Sequence, residues 1–221
     1  MPDLGKTGSG FSFFVKLGIR TLFLSKHPDF NRLTGHFFLS YLMPAQQFAY
    51  DYVDKCWIGE GFDYDESPEF WLTEISGIPF GVMSEMMDSG NQYRGLLFGM
   101  TNRLGWETNE SDPLNIWQLF DDYRLAEAEL VGWWDDRNEV VLSNPAVRAT
   151  EYKLGDEKYI AIANFSSDEQ KSDIYIKGDA FNSGEYSFYG PHIERFQNEQ
   201  TVINKVKLDG GKGLFLIVSK K

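Results

Sequence analysis

The sequence has a single cysteine among its 221 residues, so it cannot hold a network of disulfide bonds. Small secreted scaffolds that depend on several disulfides are therefore excluded. Cys56 lies in an apolar stretch without a neighbouring histidine motif, which is typical of a buried, unreactive thiol. The three histidines, His27, His36 and His192, are too widely spaced to indicate a metal site. No glycine-rich nucleotide-binding loop follows a predicted strand, so we expect neither a metal ion nor a cofactor.

Basic residues are also scarce, with 21 Lys and Arg against 33 Asp and Glu, which gives a formal net charge of −12. Nucleic acids are bound through clustered Lys and Arg, so no nucleic-acid partner is expected. The whole acidic excess lies in residues 1–147, because residues 148–221 carry 11 basic and 11 acidic side chains. This excess indicates either a cleft lined by carboxylates or a solvated acidic surface.

Long hydrophobic runs are absent as well. The longest apolar stretch near the start, Phe11–Leu24, is interrupted by Lys16 and Arg20, whereas a membrane span needs about 20 mostly apolar residues. No small-residue cleavage site follows it, so no signal peptide is expected. The pattern instead predicts an amphipathic helix with its charged residues facing water. The compartment stays open, and Asn164-Phe165-Ser166 matches a glycosylation acceptor pattern that matters only in a secreted chain.

Residues 1–147 combine short apolar runs with helical patterns. Strands are predicted where apolar runs are bounded by glycine or proline, and helices where a capping residue precedes a proline. The predicted strands are Gly35–Leu42 and Lys55–Gly59, the predicted helices are Pro68–Ser76 and Pro113 to about Leu125, and Ile78–Met83 and Tyr93–Met100 are further strands or short apolar segments. This alternation is typical of an α/β layer with parallel strands.

Residues 148–221 change to a period of two. Short runs rich in Ile, Val, Tyr and Phe are separated by turn signals such as Lys177-Gly178-Asp179 and Asp209-Gly210-Gly211. The predicted β runs are 158–165, 172–177, 185–189, 201–208 and 213–218. A segment of this length and pattern predicts a small antiparallel β-sandwich, so the fold is α/β followed by all-β with a junction near Val147.

Four motifs occur in a fixed order along the chain. They are Trp57-Ile58-Gly59-Glu60-Gly61, Gly77-Ile78-Pro79-Phe80-Gly81, Arg94–Thr101 and Asp112-Pro113 through Trp117. Together with the β-rich tail, they resemble the C-terminal portion of family-123-like glycoside hydrolases, a group that includes β-N-acetylgalactosaminidases. The resemblance implies the C-terminal part of a (β/α)8 barrel followed by a β-sandwich, acting on a glycan. It is compatible with a secreted or periplasmic location.

The length of the chain qualifies what the resemblance implies. A complete barrel needs eight βα units and about 250 residues, whereas 147 residues precede the predicted sandwich. The adjacent Asp-Glu pair of the family would lie upstream on a mid-barrel strand, and the Asp-Glu pairs at 65–66, 156–157 and 168–169 lie in other contexts. We therefore expect the second half of such an enzyme, with little hydrolytic activity. Its open half-barrel would be covered by a partner or by a second copy.

Glu60 is the first catalytic candidate, because it directly follows a short apolar strand. Barrel enzymes place their sites at the carboxyl ends of the strands, and the glycines beside Glu60 allow close approach of a substrate. Glycoside hydrolysis usually needs two carboxyl groups, and Asp63 and Asp65 lie in the loop that follows. For each of these three acids, the alternative is a loop carboxylate that only stabilises its turn or is simply solvated.

The candidates for substrate binding are a histidine, two tryptophans, an acid and a cation near the same predicted edge: His36, Trp57, Glu85, Arg103 and Trp106. A tryptophan ring offers an apolar face to the C–H groups of a sugar, and a cation would balance the nearby acids. Two functions stay open. One is a glycoside hydrolase-like domain that acts on or binds a glycan, such as an N-acetylhexosaminide. The other is a non-catalytic glycan-binding or interaction module derived from the same fold.

Overall fold

The computed structural model describes residues 11–17, 20–26, 33–37, 55–58, 63–81, 83–86, 90–104, 113–177 and 186–220. The chain divides into two compact units that alternate along the sequence. The first comprises Met1–Tyr64, Glu69–Gly90 and Asn102–Ser111, and the second comprises Asp65–Pro68, Asn91–Thr101 and Asp112–Lys221.

The first unit contains a five-stranded sheet. Its strands, in spatial and chain order, are β1 (Phe11–Leu17), β2 (Arg20–Lys26), β3 (Leu33–Phe37), β4 (Lys55–Ile58) and β5 (Met83–Glu85). β1, β2 and β3 pair antiparallel, whereas β3, β4 and β5 pair parallel. The strand predicted at 55–59 is confirmed. The strand predicted from Gly35 begins at Leu33, and its predicted end lies outside the described residues.

The amphipathic helix predicted for Phe11–Leu24 is wrong. The structure has two antiparallel strands there, with Leu17 of β1 opposite Arg20 of β2. Aromatic and β-branched residues such as Phe and Val favour a pleated strand over a helix. The apolar residues of β1 also recur at every second position, so the run fits the strand period of two as well as the helical period of about 3.6. β2 also pairs with β3, and this pairing between separate segments cannot be inferred from the local pattern.

The helix predicted at Pro68–Ser76 is confirmed. α1 (Pro68–Phe70) continues directly into a π-helical turn at Trp71–Ile75, in which Trp71 and Ile75 are fully buried. The helical segment ends before Gly77, whose φ of 75° is a left-handed conformation that glycine adopts without strain. A 3-10 turn, Ile78–Phe80, then leads towards β5.

The apolar segment Tyr93–Met100 begins as a helix and not as a strand. α2 (Gln92–Leu96) is capped by Asn91, whose side-chain oxygen accepts a hydrogen bond from the backbone N–H of Arg94 at 3.1 Å. The second predicted helix is confirmed as α3 (Leu114–Asp122), followed by a 3-10 turn at Leu125–Glu127. None of the described helices is long and apolar enough to cross a membrane.

The second unit contains two antiparallel sheets. The six-stranded sheet has the order β12 (Gln200–Val202), β11 (Tyr186–Gly190), β14 (Gly213–Lys220), β9 (Glu157–Asn164), β8 (Val147–Leu154) and β6 (Glu129–Val131). The three-stranded sheet has the order β13 (Lys205–Leu208), β10 (Gln170–Ile176) and β7 (Val140–Leu142). All neighbouring strands in both sheets pair antiparallel. Two of these strands, β6 and β7, come before Val147.

One buried hydrophobic cluster draws side chains from both sheets. Alternate residues of β8, β9, β10 and β14 supply most of it, as expected for strands with one face turned inward. The buried members are Val147, Ala149, Ile160, Ile162, Ile174, Ile176, Phe188, Val202, Val206, Leu208, Leu214 and Leu216. The period of two in the sequence therefore marks the inner faces of these sheets.

Gly132, just after β6, is predicted to be intolerant of any side chain. A Cβ at this position would lie 2.3 Å from Cζ2 of Trp134, well inside van der Waals contact. We expect Gly132→Ala to lower the free energy of unfolding by about 1–3 kcal/mol, because the indole must move out of its packed position. Urea unfolding of both proteins measures this difference. In a Trp134→Ala background the same change should cost much less, and an equal cost there would contradict the steric explanation.

Candidate functional site

The parallel part of the first unit brings three predicted binding residues into one row. His36 on β3 is the register partner of Trp57 on β4, and Trp57 is the register partner of Glu85 on β5. Register partners on parallel strands occupy equivalent positions of the pleat, so the three residues belong to the same row across the sheet. We call these residues the strand-end row.

The strand-end row lies at the carboxyl edge of the parallel strands. β3 ends at Phe37, β4 at Ile58 and β5 at Glu85, so each member of the row is at or next to the last residue of its strand. Loops that leave parallel strands at this edge form the binding clefts of α/β proteins. Glu60 follows β4 in sequence but lies outside the described residues.

Arg103 is held close to the end of β5 by its backbone. Met86 and Asn102 form an isolated parallel bridge, and the N–H of Arg103 donates a hydrogen bond to the carbonyl oxygen of Met86 at 3.0 Å. The Asn102 amide donates to the carbonyl oxygen of Gly90 at 2.8 Å, which ties the bridge to the preceding loop. Arg103 is only 7% exposed, so this edge of the sheet carries a buried cation.

Gly90 and Ser84 complete the packing around this bridge. A Cβ at Gly90 would lie 2.6 Å from Cβ of Met86, so the close approach of the two segments requires glycine. Ser84, one residue before Glu85, is 1% exposed, and its hydroxyl has no hydrogen-bond partner among the described residues. Its N–H donates to the carbonyl oxygen of Ser76 at 3.2 Å. Sequence reasoning missed both residues, because small side chains carry no recognisable pattern of their own.

Two models of a single family match the chain. The model of the glycoside hydrolase 123 TIM-barrel domain matches residues 27–105, and the model of the glycoside hydrolase 123 C-terminal domain matches residues 112–219. The chain belongs to the glycoside hydrolase 123 family. In this glycoside hydrolase 123 chain, the barrel-domain match includes the whole strand-end row and the C-terminal match includes both antiparallel sheets of the second unit.

The chain was also compared with individual proteins. A search of the curated proteins finds no match to the glycoside hydrolase 123 chain. Among solved structures, a GH30 endoxylanase from Clostridium papyrosolvens C71 is similar, with 11% sequence identity and a TM-score of 0.41. The alignment covers 78% of this chain and 50% of that structure, so the chain spans half the length of this relative.

The structure places the two loop acids of the glycoside hydrolase 123 chain in different units. Asp63 is exposed and belongs to the first unit, whereas Asp65 belongs to the second. The Asp65 carboxylate forms an ion pair with Nη1 of the buried Arg94 at 3.1 Å. Arg94 also donates to the carbonyl oxygen of Phe165 and lies over the Phe165 ring, so the segment of Asp65 is tied to the second unit.

The remaining candidates stay predictions. Trp106 lies outside the described residues, and so does Glu60. Glu85 is half-buried at the end of β5. Within the described part of the chain, no group of three His, Cys, Asp or Glu side chains comes close enough to hold a metal ion.

Proposed function

We propose that this glycoside hydrolase-like chain binds a glycan at the strand-end row, with an N-acetylhexosaminide as its substrate class. The observation that carries the proposal is the shared register of His36, Trp57 and Glu85 at the carboxyl edge of β3, β4 and β5. The three side chains offer an imidazole, an apolar ring and a carboxylate, which is the mixture of polar and aromatic groups that sugar recognition needs. The buried Arg103 beside β5 adds a cation to the same edge.

The catalytic part of the proposal rests on the acids after β4. Glu60 and Asp63 would act as the two carboxyl groups of glycoside hydrolysis, or as one acid assisted by the acetamido group of the sugar. Asp65 is the weaker candidate, because its carboxylate already pairs with Arg94. We propose the C-terminal part of a (β/α)8 barrel and a following β-sandwich as the frame for this chemistry.

The second candidate function is glycan binding without hydrolysis. The resemblance implies an Asp-Glu pair on a mid-barrel strand, and the three Asp-Glu pairs of this chain lie elsewhere. Asp156 and Glu157 lie at the turn between β8 and β9, while Asp168 and Glu169 precede β10. For the 221 residues alone we therefore favour binding with little turnover, and a partner or a second copy would cover the outer strand of the five-stranded sheet.

We expect Glu85→Gln and Glu60→Gln each to weaken glycan binding about tenfold, which is the loss expected when one charge-assisted hydrogen bond to the ligand is removed. The thermal midpoint of Glu60→Gln should hardly change, since the substitution keeps the side-chain volume. Isothermal titration with an aryl β-N-acetylgalactosaminide measures binding, release of the aryl group measures hydrolysis, and light scattering measures the mass.

The matched control is Asp156→Asn, which removes a carboxylate from the exposed turn between β8 and β9. It should bind the aryl glycoside as the unmodified chain does. Unchanged affinity in both glutamate variants would refute the site. A monomer that releases the aryl group at an ordinary enzyme rate, about 1–1,000 per second, would favour the hydrolase over the binding module.

A further inference from the structure

A groove lies in the second unit, where α3 faces the loop that joins β11 to β12. It has a volume of about 360 Å³, within the range of about 300–1,000 Å³ that small-molecule sites occupy. Residues of α3 and the following Tyr123 supply one part of its lining, and residues 192–195 of the loop supply the rest. We call it the α3 groove. All of its lining residues belong to the second unit, so it is separate from the strand-end row.

The loop side of the α3 groove is held in place by side-chain amides. Asn115 of α3 donates a hydrogen bond to the carbonyl oxygen of Glu194 at 3.1 Å, and the buried Gln197 donates to that of Phe215 at 2.9 Å. Arg195 has a φ of 59°, a left-handed conformation that a residue other than glycine adopts only at a cost. The shape of the loop is therefore imposed by its contacts, and a ligand would meet a surface that is already formed.

The helix side of the α3 groove offers an apolar surface with polar groups beside it. Leu114 is 57% exposed, Leu119 is buried, and the ring of Tyr123 is fixed from behind by the ring of Phe215, with centroids 5.0 Å apart. The Tyr123 hydroxyl and the His192 imidazole make no hydrogen bond within the part of the chain that the structure describes. Ligand sites commonly combine an apolar surface with a few polar groups in this way.

The carboxyl end of α3 carries negative charge without a compensating cation. Its last two residues, Asp121 and Asp122, are exposed acids, and its last turn holds no basic residue. The C-terminal end of a helix already bears a partial negative charge, so acids are unfavourable there and cations are favourable. Asp122, which lines the groove, accepts a hydrogen bond from the neutral amide of Gln118 at 2.6 Å and makes no ion pair among the described residues. An ammonium group of a ligand would supply the missing cation.

The two arginines nearest to the end of α3 in the groove and in the sequence already face other acids. Nε of Arg195 lies 3.9 Å from Oε1 of the adjacent Glu194, so these two exposed charges offset each other. Arg124, which follows Tyr123, forms an ion pair with Glu127. The charge of Asp122 is therefore the one that remains for a ligand, and it selects a cation over a neutral or anionic group.

We propose that the α3 groove binds an amino sugar that carries a free ammonium group, which is a hexosamine without its acetyl group. The ammonium group pairs with Asp122, the C–H groups of the sugar ring pack on Leu119 and Tyr123, and the sugar hydroxyl groups bond to His192 and to the Tyr123 hydroxyl. The choice of a sugar over another amine rests on the proposed function, because a hexosamine differs from an N-acetylhexosaminide only in the acetyl group. The preference for a cation rests on the groove itself.

The test uses the full 221-residue chain and three probes: the β-1,4-linked dimer of glucosamine, its N,N′-diacetyl form, and cadaverine, which is an amine without a sugar. Isothermal titration at pH 7 and low salt measures each affinity. We expect the glucosamine dimer to bind about tenfold more tightly than either of the other probes, and this preference to shrink as salt is added. Asp122→Asn should remove the preference over the diacetyl form, because it removes the charge that pairs with the ammonium group.

Asp156→Asn, which changes an exposed acid at the turn between β8 and β9, is the matched control and should bind the glucosamine dimer as the unmodified chain does. Asp122→Asn removes an unfavourable charge from a helix end, so it should fold normally. Tyr123→Phe keeps the ring contacts and should weaken binding of the dimer by several-fold.

Three results would overturn the α3 groove as an amino-sugar site. They are equal affinity for both dimers, cadaverine binding as tightly as the glucosamine dimer, and no binding of any probe. Glu85→Gln separates this site from the strand-end row and should leave binding of the glucosamine dimer unchanged. Loss of dimer binding in Glu85→Gln but not in Asp122→Asn would also overturn the α3 groove, and would leave the proposed function standing. The aryl glycoside titration tests the strand-end row independently.

Discussion

Replacing Asn164 with aspartate should destabilise the protein by about 4 kcal/mol, although the two side chains have the same shape. Asn164 is fully buried at the end of β9. Its amide nitrogen donates to the carbonyl oxygens of Asp168, Leu208 and Asp209 at 2.8, 3.3 and 3.0 Å. In aspartate, the oxygen that replaces this nitrogen would face three acceptors, and the Ser166 N–H, which donates to the other side-chain oxygen at 2.9 Å, would be the remaining donor. A poorly compensated buried charge is among the most costly changes in a core.

The pH dependence of the stability loss in Asn164→Asp tests this explanation more directly than the size of the loss does. Burial against carbonyl oxygens would raise the pKa of the new aspartate in the folded state above its unfolded value of about 3.9. The neutral form is then the tolerated one, so the loss of stability should be smallest below pH 4 and should grow as the pH rises through the folded pKa. Urea unfolding at pH 4 and pH 7 measures this trend.

Asn144→Asp is the matched control for this substitution. Asn144 also donates its side-chain amide, to Gln170 and to the carbonyl oxygen of Lys171, but it is only half-buried. Water can solvate a carboxylate there, so we expect a loss of about 1 kcal/mol with little dependence on pH. Equal losses at both sites would contradict the explanation from burial.

Since the Asn164 amide is enclosed, the folded chain does not offer it as a glycosylation acceptor.

Glu151→Ala is expected to cost about 3 kcal/mol. Glu151 is fully buried on β8, with Lys153 at 3.2 Å and Lys158 at 3.4 Å, and it accepts a hydrogen bond from the N–H of Glu139. Removing one partner of a buried ion pair leaves charges without compensation, which typically costs about 3–5 kcal/mol. The lower end applies because both lysines are partly exposed and water can reach them. Chemical denaturation at pH 7 measures the loss.

Glu139→Ala tests the same network from its exposed side. Glu139 pairs with Lys153 and Lys158, and the hydrogen bond from Lys158 is the main cause that lowers the pKa of Glu139. A carboxyl group with a lowered folded pKa contributes stability above its unfolded pKa of about 4.3, and this contribution is lost as the pH falls through the folded value. We expect a loss below about 1 kcal/mol at pH 7 that fades on acidification. A larger loss than in Glu151→Ala would contradict this ranking.

The sequence predicted the longer elements of this protein better than the short ones. β9 and β14 were predictable because each contains a continuous run of at least five apolar residues between clear turn signals. β6 and β7 have three residues each, so they carry no measurable period and are stabilised by pairing with β8 and β10. β1 and β2 were predicted as one helix, because a short apolar run with two charges fits both periods.

The candidate residues could also be predicted only as far as local sequence patterns reach. The sequence marked Trp57 and Glu85 as candidates, but their shared register depends on how β4 and β5 pair, which no local pattern encodes. The same holds for Arg148 and Lys177, which come from the start of β8 and from just after β10. Only the folded sheets place them beside Trp133 and Trp134.

Because the two units alternate along the chain, a single cut in the gene cannot separate one unit from the other. Asn91–Thr101 belongs by its contacts to the second unit, although Asn102–Ser111 returns to the first. Within the second unit, Thr150 donates to the carbonyl oxygen of Leu97 at 2.8 Å, and Tyr152 donates to that of Leu96. A genetic exchange that cuts once, near residue 112, would separate these hydroxyl groups from their acceptors and leave them stranded in the interior. A gene fusion that is to keep the second unit intact must therefore carry residues 91–101 together with residues 112–221.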